Sequence, residues 1–388
     1  MKLNHGLHLT YCTNVHRGEN WQETFEGLEN YTLAVRRQIG GREPFGIGLR
    51  LSNQAALELS EPARLTAFRR WLDQHGCYVF TINGFPFGKF HGTRVKEQVF
   101  APDWTSPERL AYTNRLFDIL AQLLPAGLEG SVSTLPGSFK EFIRDPSQVA
   151  EIRRNLWSCA EHIAELGQQS GHKLHLGIEP EPLGLFENTL ETVEFFESLR
   201  SEHPGDERLD ENLGVNYDTC HFAIQYEEPK EAIRQFKQHG IKISKLHLSS
   251  ALSVQPSPST QAALKEFLDD VYLHQAIGRA SDGQLHRCKD LDQALVSDIF
   301  YQTEEWRVHF HIPLHAPPTD YFDNTSSHIT GLIELLSDEP ELCSHLEIET
   351  YTWEVLPPDL KSDGVVTQLT REYEWGLKHL KHCGLANT

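Results

Sequence analysis

Short apolar runs alternate with amphipathic stretches along most of this chain, and few folds tolerate that rhythm. The runs are LHLTYCTNV (7–15), FGIGLRLS (45–52), CYVFTING (77–84), GSVSTLPG (130–137), KLHLGIEPEP (173–182), LGVNYDTCHFA (213–223), IKISKLHLSS (241–250) and LEIETYTW (346–353). Helical patterns cover 20–39, 63–76, 106–124, 146–171, 188–203, 229–240 and 371–384. Their ends carry ordinary punctuation. Ser106 stands as an N-cap before Pro107 and Glu108, and Gly76 stands just past a helix end. Such alternation predicts parallel βαβ units, and eight of them predict a closed (β/α)8 TIM barrel. The 388 residues suit a barrel with insertions. No GxGxxG or GxxxxGK[ST] follows an early strand, so the nucleotide-binding sheets lack their fingerprint.

One region breaks the repeat. Residues 251–345 are far longer than an ordinary strand-to-helix connection. We read 251–325 as an extended insertion after strand seven, within one domain spanning 1–388. It has an exposed loop at VQPSPSTQ (254–261) and helical stretches near 262–278 and 290–305. RVHFHIPLHAP (307–317) is expected to add a strand near the site, bringing three histidines with it.

Charge narrows the partners. With 35 basic and 55 acidic residues the formal charge is −20, poorly matched to nucleic acid or to an anionic membrane. A small-molecule metabolite is the better expectation. The seven cysteines are odd in number and form no CxxC, which fits a reducing compartment. The N-terminus lacks an apolar signal-peptide core, and no run of about 18 apolar residues occurs, so a cytoplasmic location is expected.

In a parallel barrel the chemistry sits at the C-terminal ends of the strands. The last four strands end on Glu179, Asp218, His247 and Glu349 in that order. Three carboxylates and an imidazole suit a divalent ion such as Mn, Zn, Co or Mg. Any one of these acids alone is as often a helix cap as a ligand; their joint placement makes the case. Two positions have rivals, because residues two apart share a strand face. Glu181 competes with Glu179, and Glu347 with Glu349, which lies nearer its strand end.

The order and contexts of these residues resemble the xylose isomerase-like barrels, the superfamily of sugar isomerases and epimerases and of endonuclease IV. Asp218-Thr219-Cys220-His221 resembles its DxxH, and Lys245-Leu246-His247 its strand-seven histidine. The resemblance implies that Glu179, Asp218, His247 and Glu349 are metal ligands and that His221 contacts substrate or metal. It favours Glu179 over Glu181 as the ligand and leaves Glu181 to bind substrate. In the epimerase branch the first and last glutamates, here Glu179 and Glu349, also move the proton. More narrowly, 9–21, 308–317 and 346–357 resemble EboE, a bacterial family of such barrels associated with metabolite traffic. That implies a place in such a pathway, with its other proteins as partners.

The remaining candidates have bland alternatives. His309, His311 and His315 form a second histidine group. Endonuclease IV-like barrels carry a DxH near this point; here the run is His309-Phe310-His311, with His311 the best further ligand. His16, Asn83 and Arg50 stand at strand ends, and Phe85 and Phe87 follow the third strand. Each is expected either to bind substrate or to brace the barrel loops, with His16 and Asn83 the preferred contacts. The function expected is a metal-dependent isomerase or epimerase of a small polyhydroxylated or phosphorylated metabolite. The alternatives are a barrel that binds a metabolite without turning it over, and an endonuclease IV-like phosphodiesterase.

Overall fold

The computed structural model describes residues 1–40, 43–361 and 364–387. Eight parallel strands form the central sheet. They are β1 (His8–Tyr11), β2 (Phe45–Arg50), β3 (Cys77–Asn83), β4 (Gly130–Thr134), β5 (Leu174–Ile178), β6 (Leu213–Asp218), β7 (Lys242–Leu248) and, after the insertion, β13 (His345–Ile348). Their order is β1-β13-β7-β6-β5-β4-β3-β2. A parallel bridge from Cys12 to Gly48 joins the two ends, and the Gly48 amide donates to Thr10 Oγ1 at 2.8 Å. The sheet therefore closes into the expected barrel.

The flanking helices form where sequence punctuation places them. Pro107–Leu123 is capped by Ser106, and Pro146–Ser170 opens with a capping box from Asp145 and Gln148. Gly76 follows the helix Pro62–Gln74 with φ +54°, a conformation glycine adopts without strain. No helix among the described residues is long and apolar enough to cross a membrane.

Several strand runs end sooner than their apolar patterns suggest. The run 7–15 turns into a short 3-10 helix at Thr13–Val15, and 213–223 becomes a helix at Thr219–Ile224. In both, buried residues continue past the last paired strand position, so apolarity alone overstates strand length.

The insertion needs a larger correction. The expected helix near 262–278 stops at Leu264, with a 3-10 turn to Phe267, and that near 290–305 is only Leu291–Ala294 plus a turn. Instead β8 (Leu252–Val254), β9 (Ala276–Arg279), β10 (Leu285–Cys288), β11 (Glu305–Val308) and β12 (Asp323–Asn324) make an antiparallel sheet in the order β10-β9-β11-β8-β12. It has its own core of Leu252, Phe267, Trp306, Val308 and Phe310. Strands of two to four residues offer too few alternations to reveal a period of two. The expected strand at 307–317 ends at Val308, so His309 and His311 lie just beyond it.

The barrel interior is crowded where it closes. A Cβ added to Gly48 would fall 1.8 Å from Glu347 Oε1 and 2.7 Å from the Tyr11 carbonyl oxygen. Gly48→Ala is therefore expected to cost about 1–3 kcal/mol in chemical unfolding, since neither β1 nor the buried glutamate has room to retreat. A second prediction concerns the C-terminal helix (Val365–His382), whose buried Glu372 accepts from Thr350 Oγ1 at 2.7 Å and from the Leu314 amide at 3.3 Å. Burial pushes its carboxyl up to about 8 despite those bonds. The fold thus favours the protonated form. That stabilisation is complete below the ordinary value near 4.5 and is lost as pH rises through about 8. Glu372→Gln should flatten the fall in stability between pH 5 and 9 and exceed wild type at the upper end by roughly a few kcal/mol, read by denaturant titration across pH.

Candidate metal centre

Glu179, Asp218, His247 and Glu349 converge at the C-terminal mouth of the barrel. One ligand atom from each lies within 4.8 Å of all the others, and all four residues are buried. His247 Nδ1 is 3.4 Å from Glu179 Oε1, 3.5 Å from Asp218 Oδ2 and 3.2 Å from Glu349 Oε2.

In each residue the other polar atom is tied down. Glu179 Oε2 accepts from Asn216 at 2.7 Å. Glu349 Oε1 accepts from Asn14 at 2.9 Å and from Asn83 at 3.1 Å. Asp218 caps the helix Thr219–Ile224, its Oδ1 accepting from the Cys220 and His221 amides and from Ser249 Oγ. His247 Nε2 bonds Glu347 Oε2 at 2.9 Å. Glu179 Oε1, Asp218 Oδ2 and Glu349 Oε2 are left for the centre with His247 Nδ1, which the Asn216 amide approaches at 3.3 Å, and Asp218 Oδ2 has no hydrogen-bond partner although fully buried. Buried polar atoms are rarely left so. This donor set, three oxygens and one nitrogen with bonded outer atoms, can hold a divalent ion of the hard or borderline class.

Electrostatics follow from this crowding. Burial alone would lower the His247 pKa, but Glu349 and Glu179 outweigh it and hold it well above the usual imidazole range. For Asp218 burial acts upward, and His221, His247 and His311 prevail and hold it well below the carboxylate range. Glu347, buried beside Lys245 Nζ at 2.5 Å, is held down to about 2 against burial by that lysine and by His247. Glu347 is thus the partner that orients the imidazole, and Glu349 is the member of the cluster.

A second constellation adjoins the first. His221 Nδ1 donates to the Pro180 carbonyl at 2.9 Å, and its Nε2 is 3.1 Å from Glu181 Oε2. Burial beside Glu179, Asp218 and Glu349 pushes the Glu181 carboxyl well above its usual range. The His309 and His221 rings are 4.8 Å apart. His311 Nδ1 donates to the Glu349 carbonyl at 2.9 Å, and the Nε2 atoms of His309 and His311 have no partner. His311 groups with Asp218 and His221 rather than with the four-residue cluster. His315 is half-buried and outside these groups.

Other candidates separate cleanly. Asn83, Phe85, Glu181 and His221 line the cavity over the cluster. His16 does not: it bonds Tyr11 OH at 2.9 Å, stacks on Tyr31 and faces a separate small pocket. Arg50 bonds the Gly18 and Gly88 carbonyls, bracing two loops. Phe87 packs on Tyr112. All seven cysteines are free, and burial followed by the neighbouring acids drives the Cys220 thiol well above its usual range, so it is no thiolate. Sequence reasoning missed Asn14, Asn216, Lys245 and Ser249. Asn216 and Lys245 each lie two residues before a cluster member, so strand periodicity held the signal for both.

The Lys245–Glu347 pair is wholly buried. Lys245→Met leaves the buried Glu347 carboxylate with His247 as its remaining partner and is expected to cost about 3 kcal/mol in chemical unfolding. Replacing both partners by apolar residues should recover only part of that loss, because His247 Nε2 then lacks its Glu347 partner, and a double-mutant cycle reads the difference directly.

No family model matches the chain, and no curated protein matches it. Solved structures do. A D-tagatose 3-epimerase-like protein superposes with a TM-score of 0.52 at 13% identity, covering 97% of this chain and 98% of its own. An L-ribulose 3-epimerase gives 0.51 at 12%, covering 99% and 96%. A xylose isomerase domain protein from Planctomyces limnophilus gives 0.50 at 16%, covering 92% and 94%. At such identity the likeness speaks for the fold alone: the chain is a (β/α)8 barrel, as these proteins are.

Proposed function

We propose that this protein is a metal-dependent isomerase or epimerase of a small polyhydroxylated metabolite. The observation that carries the reading is the four-residue cluster, each member with one atom anchored and one aimed at a common point. Glu179, Asp218, His247 and Glu349 would hold a divalent ion, which when bound polarises adjacent oxygens of a hydroxy ketone and stabilises developing enediolate charge.

The chain's own groups do the rest. Asn216 fixes the Glu179 carboxylate, and Asn14 and Asn83 fix that of Glu349, so both stand in set orientations within the cluster. In this reading one carboxylate takes the proton from the carbon alpha to the carbonyl, and the other returns a proton to the opposite face or to the neighbouring carbon. Glu181 and His221 sit at the cavity floor to bond substrate hydroxyls. The EboE-like segments at 9–21, 308–317 and 346–357 support placing this reaction in a metabolite-traffic pathway, with its other proteins as partners. A phosphodiesterase of the endonuclease IV type is disfavoured by the charge of −20 and by His309-Phe310-His311 in place of DxH.

Elemental analysis of the purified protein beside a Glu179→Ala/His247→Ala variant tests the centre. Near-stoichiometric Mn, Co or Zn that the variant loses while keeping its circular dichroism is the expected result. Solvent-deuterium exchange into a bound keto sugar, abolished by Glu349→Gln with the metal retained, is expected for proton transfer. Tight sugar binding without exchange would leave a binding protein, and a protein that takes up no divalent ion would sink the metal reading.

A further inference from the structure

The cavity above the cluster has two unlike ends. On the cluster side it is polar, with Asn14, Asn83, Glu179, Glu181, His221 and Glu349, and Lys96, Tyr272, Gln275, His309 and Tyr351 add further polar groups to its lining. Its walls are Phe85, Phe90, Val99, Phe100, Leu183 and Leu273, drawn from the loops after β3 and β5 and from the insertion. The space open to water-sized molecules is about 60 Å³, within about 640 Å³ of non-atom space that includes the open mouth. A free keto sugar carries an oxygen on every carbon, and each would need a partner; an apolar wall supplies none and makes their desolvation costly.

Charge at this site argues equally against a phosphate. Among the described residues that line the cavity, the only lysine or arginine is Lys96, and its Nζ is 2.5 Å from Asp290 Oδ2. Three glutamates line the same space. An anionic terminus would meet acids and a lysine already paired.

The wall is also held at a conformational cost. Four described non-glycine residues have positive φ, and two of them, Lys96 (+37°) and Leu183 (+67°), line this cavity. A leucine in the left-handed region is uncommon and persists where the surroundings impose it. The Leu183 amide donates to Glu187 Oε2 at 2.9 Å, and its carbonyl accepts from the Lys140 amide at 2.9 Å. Both bonds fix the backbone that presents this side chain to the cavity.

The geometry points to an amphiphilic substrate: an uncharged polyhydroxylated head that reaches the metal cluster, carrying a compact aromatic or branched hydrocarbon group that packs against the Phe85–Phe100 and Leu273 wall. This rests on the metal-centre reading for the head and goes beyond it for the body.

The test compares three ligands with one head by calorimetry on the Mn-loaded protein: D-fructose, 6-O-benzyl-D-fructose and D-fructose 6-phosphate. The benzyl ether is expected to bind at least about tenfold tighter than the free sugar, and the phosphate no tighter than the free sugar. Val99 and Leu273 are only half-buried, so Val99→Asp and Leu273→Asp are the variants to make. Each should erase most of the benzyl advantage, so that the ratio of benzyl-ether to D-fructose affinity falls towards one. Equal binding of the first two ligands, preference for the phosphate, an advantage indifferent to both variants, or no binding of any of the three overturns the proposal. Mn uptake measured on the same samples separates that failure from failure of the centre itself, which would appear as loss of metal stoichiometry.

Discussion

Everything at the mouth of this barrel depends on how several buried carboxylates tolerate one another. Glu179, Asp218, Glu349, Glu347 and Glu181 occupy neighbouring strand ends, all buried or nearly so. Like charges so close and so dry repel strongly unless cations or donors answer them. The answers come in layers. Lys245 neutralises Glu347, Glu347 bonds His247, and His247 turns its remaining nitrogen toward the other three acids. Asparagine amides, backbone N–H groups and the Ser249 hydroxyl take the outer carboxylate oxygens. Even Gly48 belongs to this arrangement, because any side chain there would displace Glu347.

Much of the fold was legible because parallel barrels repeat their signal. Eight apolar runs with capped helices between them are enough to identify the architecture, and the residues closing the last four runs do meet in space. The choice of Glu349 over Glu347 was also readable, since position along the strand sets depth in the barrel. Its rival nonetheless has a structural task, reaching His247 from one layer below. What sequence could not reveal is the antiparallel sheet of 252–324. Its strands are too short to show a period, and their partners lie up to about 70 residues away. His16 was misleading for a related reason. The strand run ended at Tyr11, and the turn at Thr13–Val15 redirected the following residues away from the cavity.

The late sheet explains how a repetitive scaffold acquires a particular pocket. β11 pairs with β8 and β9, and the chain leaving it carries His309 and His311 to the edge of the cluster. Backbone bonds from His309 to Gln275 and from Ile312 to Ser250 pin that segment to the insertion and to the end of β7. Tyr272 reaches across to the Phe90 carbonyl, joining the insertion to the loop after β3. Phe90, Val95 and Tyr272 then form a small apolar cluster of their own beside the cavity.

Two kinds of constraint therefore meet at one site. Residues on barrel strands sit on a rigid, hydrogen-bonded ladder, which suits groups that must hold fixed distances from one another. Residues on loops and on the insertion are freer to vary in length and composition, which suits groups that select what enters. The metal-competent cluster belongs to the first kind, with Asp218 and His247 on β6 and β7 and Glu179 and Glu349 one residue past β5 and β13, and the apolar wall belongs to the second. A change in the wall would alter which molecule is admitted and leave the cluster standing. A change in Lys245, Glu347 or Gly48 would unbalance the buried charge on which the cluster and the barrel's closure both rest.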